Sequence, residues 1–213
     1  HGIPDVHGPS AIREAERLGA KVRDRDCRGR TDFRSMTTVT IDGEHARDFD
    51  DAITLERLPS GNFLLGVHIA DVSHYVRPGS ELDREARERG TSVYFPERAV
   101  HMFPAVLSTG LCSLNPNVDR LVQSCLIEIS ERGKVVRHEL HDGMIHSDAR
   151  MTYEDVSAIL AEGDAAVRAR YAELVPVFEL MHKLFEILSR RRRRRGSIDF
   201  DLQEPEFVLS ETG

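Results

Sequence analysis

Tryptophan is absent, and four tyrosines and nine phenylalanines are all the rings that 213 residues carry. Few rings can be spared for function, so each one inside a motif counts. Cysteine is nearly as scarce. Cys27, Cys112 and Cys125 are odd in number and form no CxxC, which excludes a complete disulfide framework and a Cys-type zinc site and fits a reducing compartment. No apolar run approaches the roughly 20 residues that a membrane span needs. No charged-then-apolar leader follows His1, so the expected location is the cytoplasm, and a start other than Met marks the chain as an expected piece of a longer polypeptide. Basic charge is in deficit: 29 Lys and Arg face 36 Asp and Glu, for a net charge of −7, unlike a simple non-specific DNA binder.

What is present is enough apolar material for a core, 40% hydrophobic residues, which excludes wholesale disorder. The scarce positive charge is concentrated in six successive arginines, Arg190 to Arg195. Residues 9–19 predict a short helix with Ser10 as cap and Gly19 as stop, and 20–38 predict extended or looped chain. TTVTI (37–41), DAITLERL (51–58) and FLLGVHIADV (63–72) read as strands, the last two closing a hairpin over a Pro-Ser-Gly-Asn turn. SELDREARER (80–89) predicts a helix between Ser80 and Gly90. Residues 91–120 read as irregular. Residues 121–130 and 134–147 form a second hairpin, 152–163 and 165–192 are helical, with Pro176 starting or kinking a turn in the longer stretch, and SIDF (197–200) and EFVL (206–209) return to strand. Strands, then helices, then strands favour an α+β domain with a mixed, mainly antiparallel sheet and packed helices.

The segment 40–51 carries Asp42, Glu44, Asp48, Asp50 and Asp51. Five carboxylates this close repel one another, so either water screens them on an exposed turn or a divalent cation neutralises them. Ile41, Phe49, Ala52 and Ile53 are interleaved with the acids, which suggests that the backbone is pinned to a core. In extended chain Asp48 and Asp50 share a face and Asp51 points away, so a kink is needed to gather all three, with Asp42 reaching them through Gly43. All-oxygen ligands suit Mg²⁺ or Mn²⁺. The calcium-hand loop does not fit, because Ala52 and Ile53 stand where an oxygen ligand and a glycine are required.

TIDGEHARDFDDA (40–52), HIADVSHYV (68–76), TSVYFP (91–96), LCSLNP (111–116) and RRGSIDF (194–200) occur in that order. Together they resemble the catalytic domain of the RNase II / RNase R family of exoribonucleases, over nearly the whole chain. The resemblance implies processive, Mg²⁺-dependent hydrolysis of single-stranded RNA from its 3′ end to nucleoside 5′-monophosphates. It implies that Asp42, Asp48, Asp50 and Asp51 are the family's four acids. Asp42 and Asp51 would serve an ion at the scissile phosphate, and Asp48 and Asp50 a second ion and the attacking water. It also implies that Tyr94 is a stacking ring, that Phe200 lies near a second clamping ring, and that Tyr153 sits near the ribose. Two positions depart from the family: His45 replaces an acid, and His101 replaces a proline. The arginine run, Arg191 and Arg194 within it, reads either as a solvated helix end or as a grip on phosphates at the entrance of an RNA channel.

Ten histidines show no HExxH spacing, and His68 and His74 read as strand or surface residues. Ser73 and Cys112 lack an evident base-orienter pair, which disfavours a covalent nucleophile. The family resemblance implies flanking OB-type RNA-binding domains of the cold-shock and S1 kinds. It also implies a continuation past Gly213 that carries a Glu and an arginine motif. The expected division is a lead-in segment at 1–36 and the front part of an incomplete RNase II-type catalytic domain at 37–213. Two other readings remain at this point, a catalytically inactive RNA-binding fragment and a divalent-cation module.

Overall fold

The computed structural model describes Gly2, residues 4–198 except Glu97, and Phe200. One seven-stranded sheet organises them, in the order β1-β8-β7-β4-β3-β2-β9. Its strands are β1 (Thr31–Asp32), β2 (Thr38–Asp42), β3 (Asp51–Arg57), β4 (Phe63–Ala70), β7 (Asp119–Ile129), β8 (Val135–His146) and β9 (Ala149–Thr152). A separate small hairpin pairs β5 (Val93–Tyr94) with β6 (Ala99–Val100). The two outermost pairings of the sheet, β1 with β8 and β2 with β9, are parallel, and the four between them are antiparallel. The expected α+β class with a mainly antiparallel sheet is therefore what forms.

The helices cover both faces. Alternation along β3 and β4 sends Ala52 and Ala70 to one face, and Leu55, Phe63 and Leu65 to the other. The first face packs against α1 (Pro9–Leu18), α3 (Glu81–Arg89) and a π-helical turn at Val106–Leu111, through Ala11, Ala15, Leu82, Leu107 and Leu111. The second packs against α6 (Val175–Arg194) through Leu184. The first core layer also contains a polar cluster: His68, fully buried, lies between Thr54 Oγ1 at 3.2 Å and Ser124 Oγ at 2.8 Å. Gly66 is needed beside it, because a Cβ there would lie 2.8 Å from His68 Nε2. Arg30, in the segment expected to be looped, makes a buried ion pair with Asp71 at 2.6 Å. Asp71 in turn caps the four-residue α2 (Val72–Tyr75) by accepting the His74 amide N–H.

Several expectations need correction. Gly8, not Ser10, is the N-cap of α1; Pro9 begins the helix, and the Ser10 hydroxyl accepts from Arg13 instead. Residues 91–120 contain the β5–β6 hairpin, the π-helical turn and the start of β7. Strand β9 was not foreseen, because four residues that pair in parallel with β2 have too little periodicity of their own to show a strand. The long helical stretch divides into α5 (Ala165–Arg170) and α6, with Pro176 in the first turn of α6, where a missing N–H costs nothing. Residues 152–163 are helical, as α4 (Tyr153–Ser157) and a π-helical turn at Ala158–Glu162. Ser197, Ile198 and Phe200 are in no strand: Gly196, at φ 88°, ends the helix, and no neighbouring strand pairs with these three residues. The EFVL strand lies outside the described residues. Among the described residues no helix is long and apolar enough to cross a membrane.

Candidate active site

The four aspartates lie at one end of the sheet. Asp42 is the last residue of β2, Asp51 the first of β3, and the loop 43–50 between them carries Asp48 and Asp50. Three segments hold this loop in place. Phe49 is buried, and its amide N–H donates to Ser113 Oγ at 3.0 Å. The Ser113 hydroxyl donates to the Arg47 carbonyl at 3.1 Å, and the Leu114 N–H donates to the Phe49 carbonyl at 2.8 Å. On the far side, Arg150 of β9 donates to the Gly43 and Glu44 carbonyls at 2.8 and 2.6 Å and lies over the Phe49 ring. The Asp50 carbonyl accepts from the Ala70 N–H at 2.9 Å, which fastens the loop to β4.

Electrostatically the site is overloaded with negative charge. Partial burial, then Asp51, raises the Asp42 carboxyl above the ordinary carboxylate range, with Asp48 and Asp50 adding to this and Arg150 opposing it. Asp50 keeps contact with solvent, yet the protein packed around it, more than Asp48 and Asp51, pushes its carboxyl upward as well. One oxygen of Asp42 is buried with no hydrogen-bond partner. An unpaired carboxylate oxygen among mutually repelling acids is a donor set short of a cation, and hard oxygen ligands fit Mg²⁺ or Mn²⁺. The acids surround the loop rather than close on one point: among the described residues no three His, Cys, Asp or Glu side chains form a ready-made ligand group.

Beside the acids opens a cleft of about 480 Å³, lined by Asp48, Asp50, Ser92, Tyr94, Phe103 and Cys112 among others. Tyr94 is 64% exposed, and its hydroxyl donates to Asp48 Oδ2. Burial, reinforced by that hydrogen bond, pushes its phenol up to about 12. His101 lies edge-on to the Tyr94 ring, with its Nδ1 3.7 Å from the same Asp48 oxygen. His45 sits exposed in the turn at 44–45, away from any ligand role. Tyr153 is 60% exposed and follows Thr152, the residue paired with Asp42 across the β2–β9 ladder. Ser113 falls within the LCSLNP motif, but nothing in the sequence announced that it or Arg150 would hold the aspartate loop. Both lie far along the chain from the loop they hold, and neither residue type is a signal by itself.

The other expected site residues lie apart. Phe200 is 76% exposed, and among the described residues no ring contact joins it to Tyr94. Arg191 and Arg194 stand on the last turn of α6, beside the turn between β7 and β8. Cys112 is buried and its thiol is pushed up to about 12 by that burial, which suits no nucleophile.

A β2–loop–β3 corner thus carries four aspartates, is buttressed by the Ser113 segment, and opens through Asp48 and Asp50 onto a cleft lined by Tyr94 and Phe103. Residues 30–213 match the RNB domain family, and the chain belongs to that family. It is 45% identical over 210 residues to ribonuclease R of Escherichia coli, covering 99% of this chain and 26% of that protein. It is 48% identical over 219 residues to ribonuclease R of Thermotoga maritima, covering 100% of this chain and 30% of that protein. The structure of Mycoplasma genitalium RNase R in complex with ribose methylated single-stranded RNA superposes with a TM-score of 0.87 at 30% identity. That match covers 98% of this chain and 32% of the other. The chain thus spans only about a quarter to a third of the proteins it matches.

Proposed function

We propose that this chain supplies the acid-bearing part of a hydrolytic 3′-to-5′ exoribonuclease that degrades single-stranded RNA to nucleoside 5′-monophosphates. The observation that carries this is the buried, unpartnered oxygen of Asp42, on the same β2–β3 corner as Asp48 and Asp50, which line a cleft with Tyr94 and Phe103. Residues 37–213 act as the front of the catalytic domain and 1–36 as its lead-in. The remainder of that domain and flanking OB-type domains belong to the parent protein, which works in the cytoplasm.

Asp42, Asp48, Asp50 and Asp51 hold Mg²⁺, for which Mn²⁺ substitutes. When bound, the ion neutralises charge at the scissile phosphate and makes water a competent nucleophile near neutral pH. Water adds to phosphorus, the P–O3′ bond breaks, the departing 3′ oxygen takes a proton, and the released nucleotide keeps its 5′-phosphate. The chain's own residues set the geometry for this. Ser113 and Arg150 fix the loop, the Tyr94 hydroxyl orients Asp48, and the exposed Tyr94 ring offers a stacking platform that ignores base identity. Tyr153, next to the Asp42 ladder position, stands where a phenol can meet a ribose 2′-hydroxyl.

The test is Asp50→Asn in the full-length protein, with cleavage and binding followed on labelled oligo(A). Cleavage should be abolished and binding kept, because removing a ligand charge also lessens repulsion of phosphate. An Asp50→Asn protein that cuts near the wild-type rate defeats the assignment. A wild-type protein that binds RNA but never cuts it leaves the binding-only reading in its place.

A further inference from the structure

The sheet registers place the arginine run far from the catalytic acids. Asp51 opens β3 at the acid end, opposite Ile69. At the other end Arg57 pairs with Phe63, Phe63 with Ile129, and Ile129 with Val135. The turn between β7 and β8 lies just past that last pair. Six residue steps along β3 at about 3.3 Å each put it roughly 20 Å from the acids. The run thus stands apart from the cleft beside the acids; the sequence alone left it as either a solvated helix end or a phosphate grip at the entrance of an RNA channel.

At this distant end a second cleft, of about 580 Å³, is lined by Arg132 and Lys134 from the turn and by Arg190, Arg191 and Arg194 from α6. Its one acidic lining residue, Glu131, is engaged by Arg57. Arg191 donates to the Gly133 carbonyl and so fixes the helix end against the turn. A helix dipole favours cations in the last turn, which accounts for arginines on α6. It does not account for Arg132 and Lys134, which approach the same cleft from another element. Arg190 has Glu186 as an ion-pair partner at 3.8 Å, yet five cations converging from two elements still outnumber the acids beside them and repel one another, in a protein whose net charge is −7. A polyanion offsets that repulsion.

We propose that this cleft is a second nucleic-acid contact, holding backbone phosphates of the RNA strand on the 5′ side of the nucleotides at the aspartates. The proposal rests on the exoribonuclease assignment for the strand's direction, and on the charge geometry alone for the contact.

The experiment combines Arg132→Gln, Lys134→Gln, Arg190→Gln and Arg194→Gln in the full-length protein and keeps Arg191, which holds the turn. RNA 4-mers and 20-mers are titrated between 50 and 200 mM salt with a chelator present to stop turnover. At the stacked rise of about 3.4 Å per nucleotide, 20 Å is roughly six nucleotides, so a stacked 4-mer held at the acids falls short of the cleft. For the 20-mer the log–log salt slope should flatten by roughly 0.7 for each phosphate no longer neutralised; four such phosphates amount to ~50-fold in affinity across that salt range. The 4-mer slope should not change, and kcat at saturating 20-mer should stay at the wild-type value, because a distant phosphate contact binds ground state and transition state alike. A 20-mer slope equal to wild type overturns the proposal and leaves the cleft to an acidic protein surface or to solvent. Equal weakening of both oligomers overturns it too, since it marks a general loss of fold or charge. If the wild-type protein cleaves no RNA, the catalytic assignment fails while a length-dependent slope still stands.

Discussion

The Ser113 hydroxyl accepts the amide N–H of Phe49 at 3.0 Å, so a residue 64 positions away fixes the middle of the loop that carries Asp48 and Asp50. Ser113 is itself fully buried, and the Arg120 guanidinium holds its carbonyl at 2.7 Å. The aspartate loop therefore takes its shape from distant segments, the one before β7 together with Arg150 of β9 and Ala70 of β4, rather than from its own residues alone. Ser113→Ala leaves a buried N–H without a partner, which costs about 1–3 kcal/mol. We expect an unfolding free energy lower by that amount, read as a lower urea midpoint, with a higher Mg²⁺ concentration needed for half-maximal activity. A variant with the lower midpoint but an unchanged Mg²⁺ requirement would separate loop stability from ligand placement.

Tyr94 and Tyr153 should fail in different ways. Tyr94→Phe removes the hydrogen bond to Asp48 but keeps the ring, so kcat should fall while the length of the final product stays the same. Tyr94→Ala removes the ring as well and, at roughly 1–3 kcal/mol per stacked base, should release longer end products. Tyr153→Ala should erode the preference for RNA over DNA. Matched RNA and DNA 20-mers, resolved to single nucleotides, read all three outcomes. Identical product ladders for Tyr94→Ala and Tyr153→Ala would remove the division of roles.

His68 gives stability a pH limit. Burial between Thr54 and Ser124 depresses its imidazole from the usual 6.5 to about 4, so the folded protein holds it neutral. The unfolded chain binds the extra proton first, so this contribution is fully present above about 6.5 and is lost as pH falls toward 4. Between pH 7 and pH 5 the loss is about 2 kcal/mol by linkage. His68→Gln should be less stable than wild type at pH 7 yet show a flatter decline to pH 5 in urea unfolding. Parallel declines would place the acid sensitivity elsewhere.

Much of this protein was legible in its order of residues. The two hairpins, the helix between Ser80 and Gly90, and the apolar residues that anchor the acid loop all arise from local chemistry: alternation, turn residues and caps act over a few positions. Asp42, Asp48, Asp50 and Asp51 stood out because four acids in ten positions need a reason. Tertiary structure decided what depends on pairing across long separations. Strand β9 exists only because β2 offers it an open edge, and it brings Arg150 onto the Gly43 and Glu44 carbonyls. Ser113 reaches Phe49 only because β4 and β7 are neighbours in the sheet. The ladder registers, which no local pattern contains, carried the arginine run to the end of the sheet opposite the aspartates. A one-dimensional order states which charges a chain holds, but the separation between them is set by how its strands align.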